Sequence, residues 1–103
     1  MDIRACRVCG FIDADGELPW GKDGGSPTFD YCACCGVEFG YQDSDYESMK
    51  AYRRRWLHGG AKWDDEIAMP ADWNVAEQLA TVSPDEESLQ LAIALLRDST
   101  KSA

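Results

Sequence analysis

Two short turns of this chain have the cysteine spacing of a four-thiolate metal site. The first turn is Cys6-Arg7-Val8-Cys9-Gly10 and the second turn is Cys32-Ala33-Cys34-Cys35-Gly36. A C-x-x-C turn lets two thiolates converge on one ion, and the glycine that follows suits a left-handed backbone conformation. Because 22 residues separate Cys9 from Cys32, the two turns can face each other across a single ion.

The second turn contains three cysteines, so Cys32 can pair with either Cys34 or Cys35. We favour Cys35, because only this pairing repeats C-x-x-C-G in both turns. The cysteine at position 34 is then a spare thiol, packed or partly exposed, and not a nucleophile. The sequence therefore predicts a structural Zn²⁺ whose ligands are Cys6, Cys9, Cys32 and Cys35.

Three other interpretations of the cysteines are weaker. Disulfides need an oxidising compartment, and the opening Met1-Asp2-Ile3-Arg4 has no apolar signal-peptide core. A rubredoxin-like iron site uses the same twin turns, but the loop between them is shorter here and Ala33 replaces the usual proline. A catalytic zinc keeps one coordination position open, which four cysteines would close.

Charge limits the class of partner. The chain has 19 acidic and 10 basic residues, a net charge of −9, which opposes binding to a phosphate backbone. One basic cluster remains as a candidate nucleic-acid surface, and it consists of Lys50, Arg53, Arg54, Arg55 and Lys62 with His58 among them. The excess of acidic residues instead predicts a basic protein partner, or serves solubility alone.

The order of patterns predicts an α+β fold in one compact domain. Residues 1–43 read as a zinc-ribbon module of short antiparallel strands, because apolar and polar residues alternate around both turns. Residues 44–103 read as about three α-helices packed on it. The first runs from Asp45 to His58 with Ser44 as its cap, the second lies near 72–81, and the third follows a Ser83 cap and Pro84 to about Ser99.

The third helix carries a wide apolar stripe. Its predicted inner residues are Leu89, Ala92, Ile93 and Leu96, with Leu91 and Leu95 widening the stripe. Such a stripe can bury against the rest of the chain or against a second subunit, so a homodimer through this helix is one expectation. No apolar run approaches the roughly 20 residues of a membrane span, and we expect a soluble, cytoplasmic protein.

The motifs resemble a group of small bacterial cysteine-rich proteins described by a CPCC knuckle motif. The matching residues are the first turn, the block from Gly24 to Tyr41, the segment Tyr52–Trp56 with Gly59, Gly60 and Trp63, and the segment Trp73–Leu79. This chain has Arg7 and Ala33 where the group has proline. The resemblance implies a metal-binding ribbon, and the group has no settled activity.

We expect a binding protein and not an enzyme. The single histidine, His58, stands beside a glycine pair, and no Ser/His/Asp set or phosphate-binding loop is present. Nothing in the sequence supports Cys34 and His58 as a nucleophile–base pair except that both residues are present. Aromatic and arginine side chains dominate protein interfaces, which suggests Trp20, Arg54 and Trp63 as partner-binding residues. The specific hypothesis is an immunity or antitoxin factor that neutralises a basic bacterial toxin; an electron carrier and a nucleic-acid-associated protein are the alternatives.

Overall fold

The computed structural model describes residues 3–14 and 16–102, with side chains as far as Arg97. Within these residues three α-helices follow the cysteine-rich region: α1 is Tyr46–His58, α2 is Val75–Leu79 and α3 is Glu86–Ser102. Two 3-10 helices, Glu66–Ala68 and Ala80–Val82, lie in the connections.

The predicted α+β fold class is wrong, because the described residues form helices and contain no β-strand and no sheet. Two isolated antiparallel bridges, Ala5 with Ile12 and Tyr31 with Glu38, stand where the ribbon strands were expected. Each bridge closes a hairpin whose interior is occupied by a cysteine turn. In the second hairpin φ is 62° at Phe29 and 93° at Gly40, so neither arm continues as an extended strand.

Helix α1 agrees closely with its predicted range but has a different cap. The side chain of Asp45 accepts a hydrogen bond from the backbone N–H of Ser48 at 2.8 Å, so Asp45 and not Ser44 is the N-cap. Gly59 follows the last helical residue, and its N–H donates to the carbonyl of Arg55. The cap oxygen satisfies an N–H group that the first helical turn leaves without an intrahelical partner.

The start of α3 also differs from the prediction. Ser83, the expected cap, has φ of 48° and ends the 3-10 helix Ala80–Val82. The helix begins only at Glu86, and the carboxylate of Asp85 accepts hydrogen bonds from the N–H and hydroxyl of Ser88 at 3.1 and 2.7 Å. The left-handed backbone at Ser83 explains why helical geometry starts later than the capping pattern suggested.

Helix α3 covers the other helices and completes the core. It packs against α1 and α2, and the residues that reach the core are Leu91, Ala92, Leu95 and Leu96. Leu89 and Ile93, both placed in the inner stripe by the sequence, are half-buried as well but are not among the residues that pack against the core. A homodimer through this helix stays a prediction.

A run of aromatic rings joins the first hairpin to the helices. Trp63 makes edge contacts with Phe11 and Trp73, at centroid distances of 5.2 and 5.4 Å, and Trp73 makes another with Trp56 at 6.5 Å. These edge contacts connect the first hairpin, the 61–65 segment and α1 through aromatic packing. Among the described residues, no helix has the length and apolar character needed to cross a bilayer.

Candidate metal centre

Four buried cysteines from the two turns converge in the core. Their sulfur atoms all lie within 4.8 Å of one another, and these residues are Cys6, Cys9, Cys32 and Cys35. The Sγ atoms of Cys6 and Cys35 are 3.7 Å apart, as are those of Cys9 and Cys32. Metal–sulfur bonds of about 2.3 Å in a tetrahedron place neighbouring sulfurs about 3.75 Å apart. The cluster therefore fits a tetrahedral metal ion, and each such sulfur pair joins one cysteine from each turn.

The two turns have the same backbone construction. In the first, the N–H of Gly10 donates to the carbonyl of Cys6 at 2.9 Å; in the second, the N–H of Gly36 donates to the carbonyl of Cys32 at 2.9 Å. Both glycines have positive φ, 88° and 78°. This repeat, offset by 26 positions in the sequence, explains why C-x-x-C-G is needed twice.

Cys34 does not join the four converging thiols. It occupies the position in the second turn that Val8 occupies in the first, and both side chains are 0% exposed. Its sulfur lies 3.4 Å from the side-chain nitrogen of Gln78, a hydrogen-bond donor. A free cysteine behaves as a small apolar residue in such positions. Cys34 therefore fills in the second turn the space that Val8 fills in the first.

A buried arginine holds the carbonyls of the first turn. The guanidinium of Arg53, whose residue is 2% exposed, donates to the carbonyls of Val8 at 2.6 Å and Arg7 at 2.8 Å. It also forms an ion pair with Asp85 at 3.2 Å. One side chain of α1 therefore ties the first turn to the start of α3, and the buried charge is paired as physical chemistry requires.

Residues near α2 hold the remaining carbonyls of the first turn. The side-chain amide of Gln78 donates to the carbonyl of Cys9 at 3.2 Å, and the hydroxyl of Thr81 donates to the carbonyl of Gly10 at 3.1 Å. A Cβ atom at Gly10 would collide with the carbonyl oxygen of Gln78 and would lie 2.5 Å from the Thr81 hydroxyl. Glycine is therefore required at position 10 for space as well as for its backbone angle.

The second turn is held by two main-chain donors and one side-chain donor. The N–H groups of Asp64 and Asp65 donate to the carbonyls of Cys34 and Ala33, at 2.9 and 2.8 Å. The Tyr52 hydroxyl donates to the carbonyl of Cys35 at 2.9 Å. The 61–65 segment thus does for the second turn what Arg53 does for the first.

The clustered thiols shift one another's ionisation. Burial raises the pKa of Cys9 and of Cys35, because a thiolate is poorly solvated there. Hydrogen bonds from Cys35, Cys6 and Cys9 lower the pKa of Cys32. A divalent ion compensates the negative charge that forms when the thiols lose their protons. This set of sulfur donors therefore suits a soft cation.

The three residues suggested for partner binding lie in different environments. Trp20 is half-buried, donates from Nε1 to Asp43 at 2.9 Å, and lies under the Arg7 guanidinium at 3.9 Å. Trp63 is 7% exposed, and its buried Nε1 has no hydrogen-bond partner among the described residues. Arg54 is exposed and forms an ion pair with Glu87 at 2.9 Å. Their role in partner binding stays a prediction.

The basic cluster is not wholly exposed. Arg53 is buried under the first turn, whereas Arg54 pairs with Glu87 on the exposed face of the helix. Lys50 and Arg55 lie over the rings of Tyr46 and Tyr52 at 5.1 and 5.5 Å.

The environments of Cys34 and His58 do not suit a nucleophile pair. His58 is exposed, while Cys34 is fully buried, so a substrate could not reach that thiol from the surface.

The sequence did not identify the residues that support the turns, which are Tyr52, Arg53, Asp64, Asp65, Gln78 and Thr81. A signal existed for Arg53, because it falls at helical spacing on the stripe with Met49 and Trp56, where an arginine must have buried partners. No signal existed for Asp64 and Asp65, which act through their backbone N–H groups.

Two curated proteins of Bacillus subtilis (strain 168) are similar to this chain. The uncharacterized protein YoaQ is 33% identical in an alignment of 82 positions, gaps included, which covers 66% of this chain and 65% of YoaQ. The uncharacterized protein YozI is 24% identical in an alignment of 119 positions, gaps included, which covers 86% of this chain and 93% of YozI. No family model and no solved structure matches the chain. The CPCC-type resemblance therefore stays a prediction.

Proposed function

We propose that this protein is a non-catalytic binding protein held in shape by a structural Zn²⁺ ion. The observation that carries the proposal is the cluster of four buried thiols, whose sulfurs all lie within 4.8 Å of one another. Four thiolates complete the shell of a tetrahedral ion and leave no coordination position for a substrate. Zinc suits four thiolates in a tetrahedron, and its binding contributes directly to folding in small domains.

The partner in this proposal is a basic protein. The net charge of −9 favours a positively charged surface and speeds the approach of such a partner. A nucleic-acid partner is disfavoured, because Arg53 is buried and Arg54 is paired with Glu87. The biological role that fits is an immunity or antitoxin factor for a basic bacterial toxin, acting in the cytoplasm, where reducing conditions keep its five cysteines out of disulfides.

Metal analysis of the purified protein tests the first half of the proposal. Native mass spectrometry of protein produced without added metal should find one zinc per chain, and the solution should be colourless. A red protein with iron bound would instead support the rubredoxin-like electron carrier, since iron accepts the same four thiolates. Chains without bound metal that keep the same helical circular dichroism would rule out a structural ion.

Affinity capture from the native host tests the second half. The tagged, zinc-loaded chain should retain a basic protein at low salt and release it as salt rises, because opposite charges are screened. The captured protein should also lose its toxicity when both genes are expressed together. Retention of the chain itself on a heparin column, with no basic protein captured, would contradict the proposal and support the nucleic-acid alternative.

A further inference from the structure

A cleft of about 270 Å³ lies between the hairpins of the two cysteine turns. It runs from the first hairpin, at Phe11, past the 16–19 segment to the second hairpin, at Tyr31 and Phe39. This volume is close to the lower limit of about 300 Å³ for pockets that bind whole small molecules. The volume of the cleft therefore suits a single side chain of a larger partner.

Three aromatic rings line the cleft, together with Pro19 and Ala33. Phe39 is 8% exposed, Phe11 is half-buried, and Tyr31 is 66% exposed at the edge. Rings in this arrangement accept the aliphatic part of a long side chain and attract a cation above their faces.

Carboxylates line the same cleft. Glu17 and Asp30 are both exposed, and neither side chain has a hydrogen bond or ion pair to the residues that the structure describes. Asp13 also lines the cleft, and Arg4 supplies its one positive charge. Three carboxylates against one guanidinium leave the cleft acidic at neutral pH.

We propose that this cleft receives an arginine or lysine side chain from a loop of the basic partner. The inference rests on the proposed function, to which it adds the place of contact. The aliphatic stem lies against Phe11 and Phe39, and the charged end meets Glu17 and Asp30. Arginine is enriched among the residues that dominate interfaces, and a cation enclosed by aromatic and carboxylate groups gains from both.

The test uses the zinc-loaded full chain and the peptide N-acetyl-Gly-Arg-Gly amide, followed by ¹H–¹⁵N NMR. The control peptide carries citrulline, which has nearly the shape of arginine without its charge. The variant Glu17→Gln with Asp30→Asn removes two charges from the cleft. The matched control Glu66→Gln with Asp72→Asn removes two exposed charges that do not line it.

The arginine peptide should shift the amide signals of the 11–19 and 30–39 segments, and the citrulline peptide should not. The cleft variant should weaken this binding at least fivefold, whereas the control variant should change it less than twofold. Equal weakening by both variants would show attraction to net charge alone and would overturn the proposed site. Equal binding of the citrulline peptide, or shifts confined to other regions, would also overturn it.

The two proposals fail in different ways. If a basic protein is captured from the host but binds the cleft variant as tightly as the wild type, the site is wrong and the proposed function stands. If no basic protein is captured while the peptide still binds at the cleft, the site stands as a cation site and the proposed function is wrong.

Discussion

Cys34 in the second turn occupies the structural position that Val8 occupies in the first. Both are 0% exposed, and both are followed by a metal-candidate cysteine and a glycine with positive φ. The equivalence explains a third cysteine in a turn that needs two. It also separates two roles, thiol as ligand and thiol as packing group, that the residue type alone does not distinguish.

Replacing Cys34 with valine should therefore leave metal binding intact. The substitution keeps an apolar side chain of similar volume, so the free energy of unfolding should change by less than about 1.5 kcal/mol. Cys35→Ser should instead lose the bound ion, because serine is a poor ligand for a soft metal site. Native mass spectrometry and thermal unfolding of both variants provide the measurement. Loss of the ion from Cys34→Val would mean that the second turn uses a different cysteine.

The buried arginine of α1 should contribute far more to stability than its neighbour. Arg53→Met leaves the carbonyls of Arg7 and Val8 without donors and Asp85 without its cation, which should cost about 3–5 kcal/mol. Arg54→Met removes an exposed ion pair and should cost less than about 1 kcal/mol. Urea unfolding measures both, and equal costs would contradict the assigned role of Arg53.

Alanine substitutions at two glycines separate steric collision from backbone strain. Gly10 and Gly24 have similar positive φ, 88° and 72°, so either Gly→Ala change costs about 1–2 kcal/mol in backbone energy. A Cβ at Gly24 meets nothing within 4 Å, whereas one at Gly10 meets Gln78 and Thr81. Gly10→Ala should therefore destabilise the protein clearly more than Gly24→Ala and lower its metal affinity. Equal effects in urea unfolding would refute the close approach of the first turn to α2.

The hydroxyl of Tyr52 should ionise at a higher pH than an ordinary tyrosine. Burial, aided by negative groups nearby, raises the pKa of Tyr52 to about 12. A tyrosine whose folded pKa exceeds its unfolded value contributes stability below about pH 10, and this is lost as the pH rises toward 12.

Absorbance at 295 nm should show this late-ionising component in the wild type, and Tyr52→Phe should remove it. Loss of the hydrogen bond to Cys35 should also cost about 1 kcal/mol. Tyr41→Phe, at a site 68% exposed, serves as the control and should leave the late component unchanged. A titration curve that is the same for the wild type and Tyr52→Phe would contradict the assignment.

Local patterns predicted the parts of this structure that depend on neighbouring residues. The C-x-x-C-G repeat indicated the four cysteines that converge, and periodicity indicated the helices within a few residues. Strands were predicted wrongly, because the alternation from Val37 to Tyr41 reflects the exit from a cysteine turn and not pairing with a sheet. Local patterns could not predict the contacts that support the turns, since Arg53 is 45 positions from Val8 and Gln78 is 69 positions from Cys9.

The donors that support the turns also bear on protein engineering. Four consecutive carbonyls of the first turn, and three of the second, are satisfied by groups that lie between residues 52 and 81. A graft of the two cysteine turns alone onto another scaffold would leave these oxygens without hydrogen-bond donors. To transplant the centre, a designer must therefore carry over α1, the 61–65 segment, α2 and the 3-10 helix Ala80–Val82 together with the cysteines.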